Sequence, residues 1–463
     1  MADVLSVINP ATEQIIKDIP VNDPAAVSEK VANARAAQPK WAARPIEERI
    51  DVLKRFKHLL IEQADTLAAR LTAETGKPIT QAKNEILGTP ARIDFFIDNV
   101  ARLMMTDTVY KEPTDSEEIQ LEEIISYEAL GVVANISAWN YPYFVGSNVF
   151  VPALLTGNSV LYKPSEIATM TGLAITDLLH QAGVPSDVFS PVVGAGPTGA
   201  ALLEEDIDGV FFTGSYRTGQ KIAIAAAPKL IKVQLELGGK DPAYVCADAD
   251  VATAAAGLAD GAFYNNGQSC CAVERIYVHT DVYESFLEAF LAAVKAFTLG
   301  TPDNPDTYLG PLSRQPQLAV LTQQVDDALS EGATVHRGAQ PLPNSGFYFP
   351  PTVLTGVTHE MSVMREESFG PVIGVQRVSG DDEAITLMND TDYGLTAAVY
   401  SSNRQHAMEI LLQVNSGSAY WNCCDRVSPR LPWTGRRHSG IGSTLSELGI
   451  RAFLQPRGWH LRR

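Results

Sequence analysis

Apolar and polar positions along the chain follow two alternating periods, one typical of helices and the other of strands. From Ile46 onward, apolar residues recur at the three- and four-residue intervals of an amphipathic helix. Residues 131–136, 159–162 and 210–213 are short β-branched or aromatic runs bounded by glycine, proline or polar residues, and residues 168–181 have a helical pattern. This alternation predicts an α/β protein.

Composition narrows the class of protein. The chain has 463 residues, of which 45% are hydrophobic and 19% charged, enough for two or three domains with a sizeable core. No run approaches the roughly 20 apolar residues of a membrane helix, and the N-terminus lacks the basic start of a signal peptide. The net charge of -18 disfavours a nucleic-acid partner. We therefore expect a globular cytoplasmic protein that binds neither nucleic acid nor membrane.

The five cysteines do not form a pattern typical of disulfide-rich proteins or of zinc sites. Their number is odd, and four of them lie in two adjacent pairs, Cys270/Cys271 and Cys423/Cys424. We expect no metal site. Cys246 and Cys271 are expected to be buried and inert.

Cys270 stands apart because it follows the turn-forming residues Asn-Asn-Gly at 265–267. A tight bend can present a thiol to a cleft, where its thiolate acts as a strong nucleophile. Such a nucleophile needs a base and an oxyanion donor. Glu236 ends the alternating segment 232–237 and is a candidate base, although in isolation it has the pattern of a solvent-facing glutamate. Asn140, in a turn before a proline, is a candidate oxyanion donor.

Two predicted strand ends carry residues suited to a dinucleotide. Gly214 and Ser215 follow the strand at 210–213 and open a helix, whose backbone N–H groups can bind a pyrophosphate. Lys163 and Glu166 follow the strand at 159–162 and are suited to bind ribose hydroxyl groups. Because a carboxylate repels a 2′-phosphate, Glu166 favours NAD over NADP.

Six segments together resemble the aldehyde dehydrogenase superfamily of NAD(P)-dependent, non-acylating enzymes, over nearly the whole chain. They occur in the family's order and at family-like separations: Trp-Asn-Tyr-Pro at 139–142, Lys-Pro-Ser-Glu at 163–166, Phe-Thr-Gly-Ser at 212–215, Leu-Glu-Leu-Gly-Gly-Lys at 235–240, Gly-Gln-Ser-Cys at 267–270 and Glu-Glu-Ser-Phe-Gly-Pro at 366–371.

The resemblance implies a role for each matching residue. Cys270 would add to the aldehyde, Asn140 would hold the oxyanion, and Glu236 would activate the water that hydrolyses the thioester to a carboxylic acid. The cofactor would be NAD, with NADP as the alternative. The matches assigned to cofactor binding are Trp139, Lys163, Glu166, Gly214, Ser215, Glu367 and Phe369.

The resemblance also implies the domain organisation. A Rossmann-like cofactor domain would comprise residues 1–110 and 130–237, and a second α/β domain, at 238–435, would carry the nucleophile. Residues 111–129 and 436–463 would form a small oligomerisation hairpin and bridging segment. A homodimer or homotetramer is therefore expected.

Other functions remain open on the sequence alone. A coenzyme-A-acylating dehydrogenase generally lacks the equivalent of Glu236, and a non-catalytic descendant would be expected to lose the nucleophile or the base. Succinic semialdehyde dehydrogenases typically carry an arginine at the position of Asn148, which counts against that substrate. The resemblance also implies an aromatic lining of the aldehyde tunnel. Such a lining suits apolar or aromatic aldehydes, or equally a cation such as betaine aldehyde or an aminoaldehyde. The residues at the matching positions are Tyr141, Tyr143, Phe144, Tyr420 and Trp421. The family's C-terminal Pro-Phe-Gly-Gly-x-Lys-x-Ser-Gly pattern is altered at 432–440 by a missing glycine and an extra arginine.

Overall fold

The computed structural model describes residues 3–112, 121–343 and 346–462. The helix predicted from Ile46 is confirmed, but it breaks at Gln63 into two helices. No helix in the described ranges is long and apolar enough to cross a membrane. The chain opens with an antiparallel hairpin and four helices: β1 (Val4–Ile8), β2 (Ile15–Pro20), α1 (Pro24–Ala42), α2 (Ile46–Glu62), α3 (Ala64–Thr75) and α4 (Ile79–Leu103).

A six-stranded sheet forms the first α/β layer, and the three strands and the helix predicted there are confirmed. Its elements are β5 (Val132–Ile136), α5 (Pro142–Leu155), β6 (Ser159–Lys163), α6 (Thr169–Ala182), β7 (Phe189–Pro191), α7 (Gly196–Glu204), β8 (Gly209–Thr213), α8 (Tyr216–Ala226) and β9 (Lys232–Glu236), with β17 (Gly440–Ile441) at one edge. The spatial order is β17-β9-β8-β5-β6-β7, and only β17 runs antiparallel to its neighbour.

Both faces of this sheet are covered by helices, which is why its central strands are largely apolar. Val133 and Phe211 pack with the helices on one face, while Ala134 and Phe212 pack into the cluster on the other. The alternating strand β9 does not follow the expected inside–outside pattern. Gln234 and Glu236 are both buried, so the solvent-facing placement of Glu236 suggested by the local pattern is wrong.

A seven-stranded sheet forms the second layer. Its elements are β10 (Asp241–Val245), α9 (Val251–Phe263), β11 (Val273–His279), α10 (Tyr283–Lys295), α11 (Gln315–Ser330), β12 (Thr334–Arg337), β13 (Thr352–Thr355), α12 (Ser362–Arg365), β14 (Val372–Val378), α13 (Asp381–Asn389), β15 (Thr396–Tyr400), α14 (Arg404–Leu411) and β16 (Ser418–Trp421). The order is β12-β13-β14-β11-β10-β15-β16, and only β12 is antiparallel to its neighbour.

A third, three-stranded antiparallel sheet joins two distant parts of the chain. It comprises β3 (Asp107–Lys111), β4 (Leu121–Ala129) and β18 (Leu454–Arg462), in the order β18-β4-β3, and α15 (Ser446–Arg451) leads into it. The sheet begins at Asp107, before the predicted start at residue 111. The acidic tip of the predicted hairpin, residues 113–120, lies outside the described residues.

A buried ion pair ties α4 to the start of α5. Lys77 precedes α4 and Glu85 lies within it, and both side chains are 1% exposed. The Lys77 ammonium also donates to the carbonyl oxygen of Asn140 at 2.6 Å. The Glu85 carboxylate accepts the backbone N–H of Tyr143 at 2.8 Å. Because both charges are paired and hydrogen-bonded, their burial is tolerated.

Lys77→Met tests this pair, because it leaves the Glu85 carboxylate buried without its cation. We expect the free energy of unfolding to fall by about 3–5 kcal/mol. Urea-induced unfolding followed by tryptophan fluorescence measures the change. Lys54→Met is the matched control, since Lys54 forms an exposed pair with Asp51 at 3.5 Å, and its effect should stay below about 1 kcal/mol. Equal effects of the two substitutions would contradict the structural role of the buried pair.

Candidate active site

The carboxyl ends of the central strands in the six-stranded sheet lie at one edge, where several of the predicted cofactor residues converge. From β5 the chain proceeds to β6 and β7 on one side, whereas β8 and β9 lie on the other. A crevice opens at such a reversal of strand order, and dinucleotides bind in it. Trp139 follows β5, Lys163 ends β6, and Gly214 follows β8.

The side chains of Lys163 and Glu367 are suited to form hydrogen bonds with the ribose hydroxyl groups of a dinucleotide. Burial lowers the pKa of Lys163, whose ammonium reaches only the Pro164 carbonyl, at 3.4 Å, among the described residues. Burial, followed by the charge of Glu274, raises the pKa of Glu367 to about 8, and its carboxylate accepts the N–H of Gly239 at 3.1 Å. Both side chains retain hydrogen-bonding capacity that ribose hydroxyls can use.

The remaining predicted cofactor residues lie near this edge or on the facing loop. Ser215 occupies the N-cap position of α8 and has extended backbone. Glu166 is exposed beyond the end of β6. Phe369 packs edge-on against Trp139, with ring centroids 5.6 Å apart, and its backbone N–H donates to Glu274 at 2.9 Å. Glu274 therefore holds the facing loop, a role that the sequence analysis missed.

The altered C-terminal loop packs against the start of α8. His438 stacks on Tyr216, with ring centroids 4.0 Å apart and planes inclined by 19°. Arg437 donates to the carbonyl oxygen of Asn389 at 2.9 Å, and the N–H of Leu237 donates to the Ser439 carbonyl at 3.0 Å. Arg437 therefore anchors the loop to the seven-stranded layer.

The predicted turn before Cys270 is confirmed, and its sequence explains its shape. Asn265, Asn266 and Gly267 have φ values of 53°, 58° and 67°, in the left-handed region that asparagine and glycine tolerate best. Asn266 exchanges two hydrogen bonds with the backbone of Gly310, at 2.6 and 3.1 Å. The turn is thus held against Gly310, and Cys270 is half-buried at its exit.

A cavity of about 530 Å³ opens at Cys270, within the size range of small-molecule sites. Cys270 and Glu236 line it together, although they come from different layers of the fold. The other lining residues come from α4, α5, the end of α9, the cysteine turn and the loop after β16. Those used below are Glu85, Arg92, Tyr141, Phe144, Asn148, Asp260, Cys271, Asp425 and Arg426.

Glu236 has the environment of a carboxylate that changes protonation near neutral pH. Burial raises its pKa to about 7, and this shift is opposed by a hydrogen bond from Thr444, the charge of Arg92 and a hydrogen bond from Gln234. The Gln234 side chain donates at 3.3 Å. A carboxylate with a pKa near 7 is suited to accept a proton from water.

Asn140 lies beside the cysteine turn rather than on the cavity wall. Its side-chain amide donates to the carbonyl oxygen of Gln268 at 3.1 Å. Cys271 is buried as predicted and donates to Asp425 at 2.9 Å. A hydrogen bond to Cys270, followed by burial, raises the pKa of the Cys271 thiol. Cys271 therefore remains protonated, which leaves Cys270 as the nucleophile candidate.

The contribution of α4 to the cavity was not predicted from the sequence. Glu85 and Arg92 are seven residues apart, so two turns of helix place them on the same face, and both line the cavity. The sequence signal that could have indicated this contribution is the placement of these two charged residues on one face of the amphipathic helix α4. The predicted aromatic lining is correct for Tyr141 and Phe144. It is wrong for Tyr143, Tyr420 and Trp421, which do not line the cavity in the described part of the chain.

Away from this cavity, the fold brings together three potential metal ligands that sequence spacing did not reveal. Atoms of Cys246, Asp248 and His406 lie within 4.8 Å of one another. Each has a local explanation without an ion: His406 contacts Asp381 at 2.6 Å, Asp248 accepts from Ser401 at 2.9 Å, and burial raises the pKa of the Cys246 thiol.

Comparison with known proteins identifies the family. The model of the aldehyde dehydrogenase family matches residues 2–458. The chain is 35% identical to lactaldehyde dehydrogenase of Escherichia coli (strain K12), covering 97% of this chain and 94% of the relative. It is 34% identical to the NADP(+) succinate-semialdehyde dehydrogenase of Deinococcus radiodurans, covering 96% of this chain and 92% of the relative.

Solved structures agree with this assignment. The structure of PnpE in complex with nicotinamide adenine dinucleotide superposes with a TM-score of 0.95 at 32% identity, covering 99% of this chain and 94% of that one. The predicted fold class and NAD(P) use are thereby confirmed. The chain belongs to the aldehyde dehydrogenase family and is an NAD(P)-dependent oxidoreductase that acts on an aldehyde.

Proposed function

We propose that the chain oxidises its aldehyde to the carboxylic acid through a thioester on Cys270, which is hydrolysed by water activated by Glu236. The observation that carries this proposal is that the two residues line one cavity. A thiolate and a carboxylate whose pKa is raised to about 7 supply a nucleophile and a base in the same space.

Each step follows from residue chemistry. The Cys270 sulfur bonds to the aldehyde carbon, and the carbonyl oxygen gains negative charge. The Asn140 amide carries two N–H groups, of which one donates to Gln268, so the second can serve this oxyanion together with the Cys270 N–H. When the carbonyl re-forms, the hydrogen on that carbon leaves as a hydride, for which bound NAD(P) would supply the acceptor, and a thioester remains on Cys270. Glu236 then takes a proton from water, the hydroxide displaces the sulfur, and the carboxylic acid leaves.

The positions of the predicted cofactor residues in the fold support the proposed NAD(P)-dependent oxidation. We propose that Lys163 and Glu166 hold the adenosine ribose and that Gly214 and Ser215 meet the pyrophosphate. Glu367 would hold the nicotinamide ribose, beside Phe369 and Trp139. We assign cofactor binding to the layer at 1–110 and 130–237, and the nucleophile to the layer at 238–435.

Burial of Glu236 beside Cys270 favours hydrolysis over acyl transfer to coenzyme A. The presence of both residues in one cavity also disfavours a non-catalytic role, because a non-catalytic descendant would be expected to lose the nucleophile or the base. The cytoplasmic location expected from composition stays a prediction.

Cys270→Ala and Glu236→Gln separate the two halves of the reaction. We expect Cys270→Ala to abolish NADH formation. Glu236→Gln should leave one burst of NADH per active site, followed by turnover slowed about 10²- to 10⁴-fold, because only thioester hydrolysis needs the base. Stopped-flow absorbance with a short aldehyde measures both phases. Steady turnover in Cys270→Ala, or dependence of the wild type on added coenzyme A, would overturn the mechanism.

The pH dependence of thioester hydrolysis follows from the pKa of Glu236. Only the ionised carboxylate accepts a proton, so the hydrolysis rate should fall about tenfold per pH unit below pH 7 and level off above it. Steady-state rates measured where hydrolysis limits turnover give the profile. In Glu236→Gln this limb should disappear. A midpoint near 4.5, the ordinary pKa of glutamate, would show that burial does not control this group.

We propose further that the three-stranded sheet joins copies of the chain into a homodimer or homotetramer. Its outer strands β18 and β3 have no further neighbour among the described residues. Large apolar side chains, Val109, Trp459 and Leu461, are exposed on them. Open edges with apolar residues favour pairing with another chain.

Light scattering of the full chain tests the assembly. We expect the mass of two or four chains for the wild type, and a smaller species for Trp459→Glu/Leu461→Glu. Leu412→Glu is the control, since Leu412 is an exposed apolar residue at 82% on another surface. A monomeric wild type, or equal masses for all three proteins, would contradict the proposal.

A further inference from the structure

A buried guanidinium group faces the catalytic cavity without a carboxylate partner among the described residues. Arg92, in α4, is 7% exposed. Its Nη1 donates to the side-chain oxygen of Asn148 at 2.9 Å, and its guanidinium lies 4.0 Å from the ring centre of Phe144. A guanidinium has five N–H donors, and the described residues accept from only one of its nitrogens.

The acidic residues lining the same cavity are held by other protein groups. Glu85 pairs with Lys77, and Glu236 accepts hydrogen bonds from Thr444 and Gln234. Asp260 accepts a hydrogen bond from Tyr308 at 2.6 Å and lies 3.8 Å from the guanidinium of Arg426. Asp425 accepts a hydrogen bond from Cys271 at 2.9 Å. No carboxylate oxygen of the described residues lies within 4.0 Å of the Arg92 nitrogens. The guanidinium therefore lacks the close anion that the buried ammonium groups of Lys77 and Lys240 have.

This arrangement costs free energy unless an anion completes it. Burial lowers the pKa of Arg92 to about 10, so the group remains charged at neutral pH. A buried cation without a close partner is unfavourable, and the planar guanidinium fork matches a carboxylate with two parallel hydrogen bonds. The cavity therefore offers an anion site on the wall formed by α4 and α5, beside the nucleophile.

The same contacts argue against a cationic substrate. The aromatic faces that would surround a cation already contact the protein's own cations. The Lys77 ammonium lies 3.8 Å from the ring centre of Tyr141, and Arg92 covers Phe144. A betaine aldehyde or an aminoaldehyde would meet like charge there.

Asn148 has a different role in the fold from the one that its lack of charge suggests. Its lack of positive charge counted against a substrate with a distal carboxylate. In the fold it orients a guanidinium that arrives from α4 instead of α5. The charge is therefore present in the cavity, but it is supplied by a different helix.

We propose that this enzyme is selective for short aldehydes that carry a carboxylate at their other end, and that Arg92, oriented by Asn148, binds that carboxylate. The inference rests on the proposed function, because the aldehyde must reach Cys270 in the same cavity.

Selectivity is measured as the ratio of kcat/KM for succinic semialdehyde to kcat/KM for butanal, a neutral aldehyde of the same chain length. We expect the wild type to favour the carboxylate. Arg92→Gln should lower the ratio by about 30-fold or more, mainly through KM for the carboxylate, as expected when one partner of a buried charge pair is removed. Arg102→Gln is the matched control, from an exposed arginine on the same helix, and should change the ratio less than about twofold.

A charge exchange tests the geometry. The double variant Arg92→Asn/Asn148→Arg exchanges the two side chains, so that α5 supplies the guanidinium instead of α4. It should recover part of the selectivity that is lost in Arg92→Asn alone. Arg92→Lys keeps the charge without the fork and should give an intermediate ratio. This variant keeps the test decisive if Arg92→Gln fails to fold.

Binding without turnover separates this inference from the mechanism. In a Cys270→Ala background, calorimetry should show succinate binding more tightly than butyramide, and Arg92→Gln should remove the difference. If the wild type oxidises neither aldehyde, the proposed function fails. If it oxidises butanal but shows no preference for the carboxylate, or if Arg92→Gln leaves the ratio unchanged, the anion site is overturned while the mechanism stands.

Discussion

The buried pair between Lys77 and Glu85 is the interaction on which the geometry of the cavity depends. The ammonium holds the backbone carbonyl of Asn140, and the carboxylate holds the backbone N–H of Tyr143. These contacts fix the turn that enters α5 against α4. Because α4 and α5 carry Arg92 and Asn148, a pair of opposite charges outside the reacting centre sets the position of the residues around it.

Burial also sets the chemistry of the site. The same low-dielectric surroundings raise the pKa of Glu236 to about 7 and that of Glu367 to about 8, and lower that of Lys163. A protonation equilibrium near neutrality suits a base that must take a proton from water. The site therefore depends on how completely the sheets and helices exclude solvent, as well as on which residues are present.

The division into two sheets explains how distant segments meet. Glu236 ends the last long strand of the six-stranded sheet, and the seven-stranded sheet begins at Asp241, so the cavity lies where the two layers join. Cys270 is presented from the second layer by a turn that only asparagine and glycine adopt readily. Nucleophile and base thus come from separate layers, each held by its own core.

The sequence by itself determined the local features. Strands β5, β6 and β8 and helix α6 follow from short apolar runs and stop signals, because those patterns reflect neighbours along the chain. The turn before Cys270 follows from Asn-Asn-Gly for the same reason. The sequence motifs indicated the family and the residues of the proposed mechanism. What tertiary structure alone decided was the set of contacts between distant segments. Local alternation predicts an exposed Glu236, whereas packing buries it. Asn148 by itself disfavours a carboxylate substrate, whereas packing places the guanidinium of Arg92 beside it. The reason is physical: burial and charge pairing depend on which segments pack together, and periodicity along one segment carries no information about its partner.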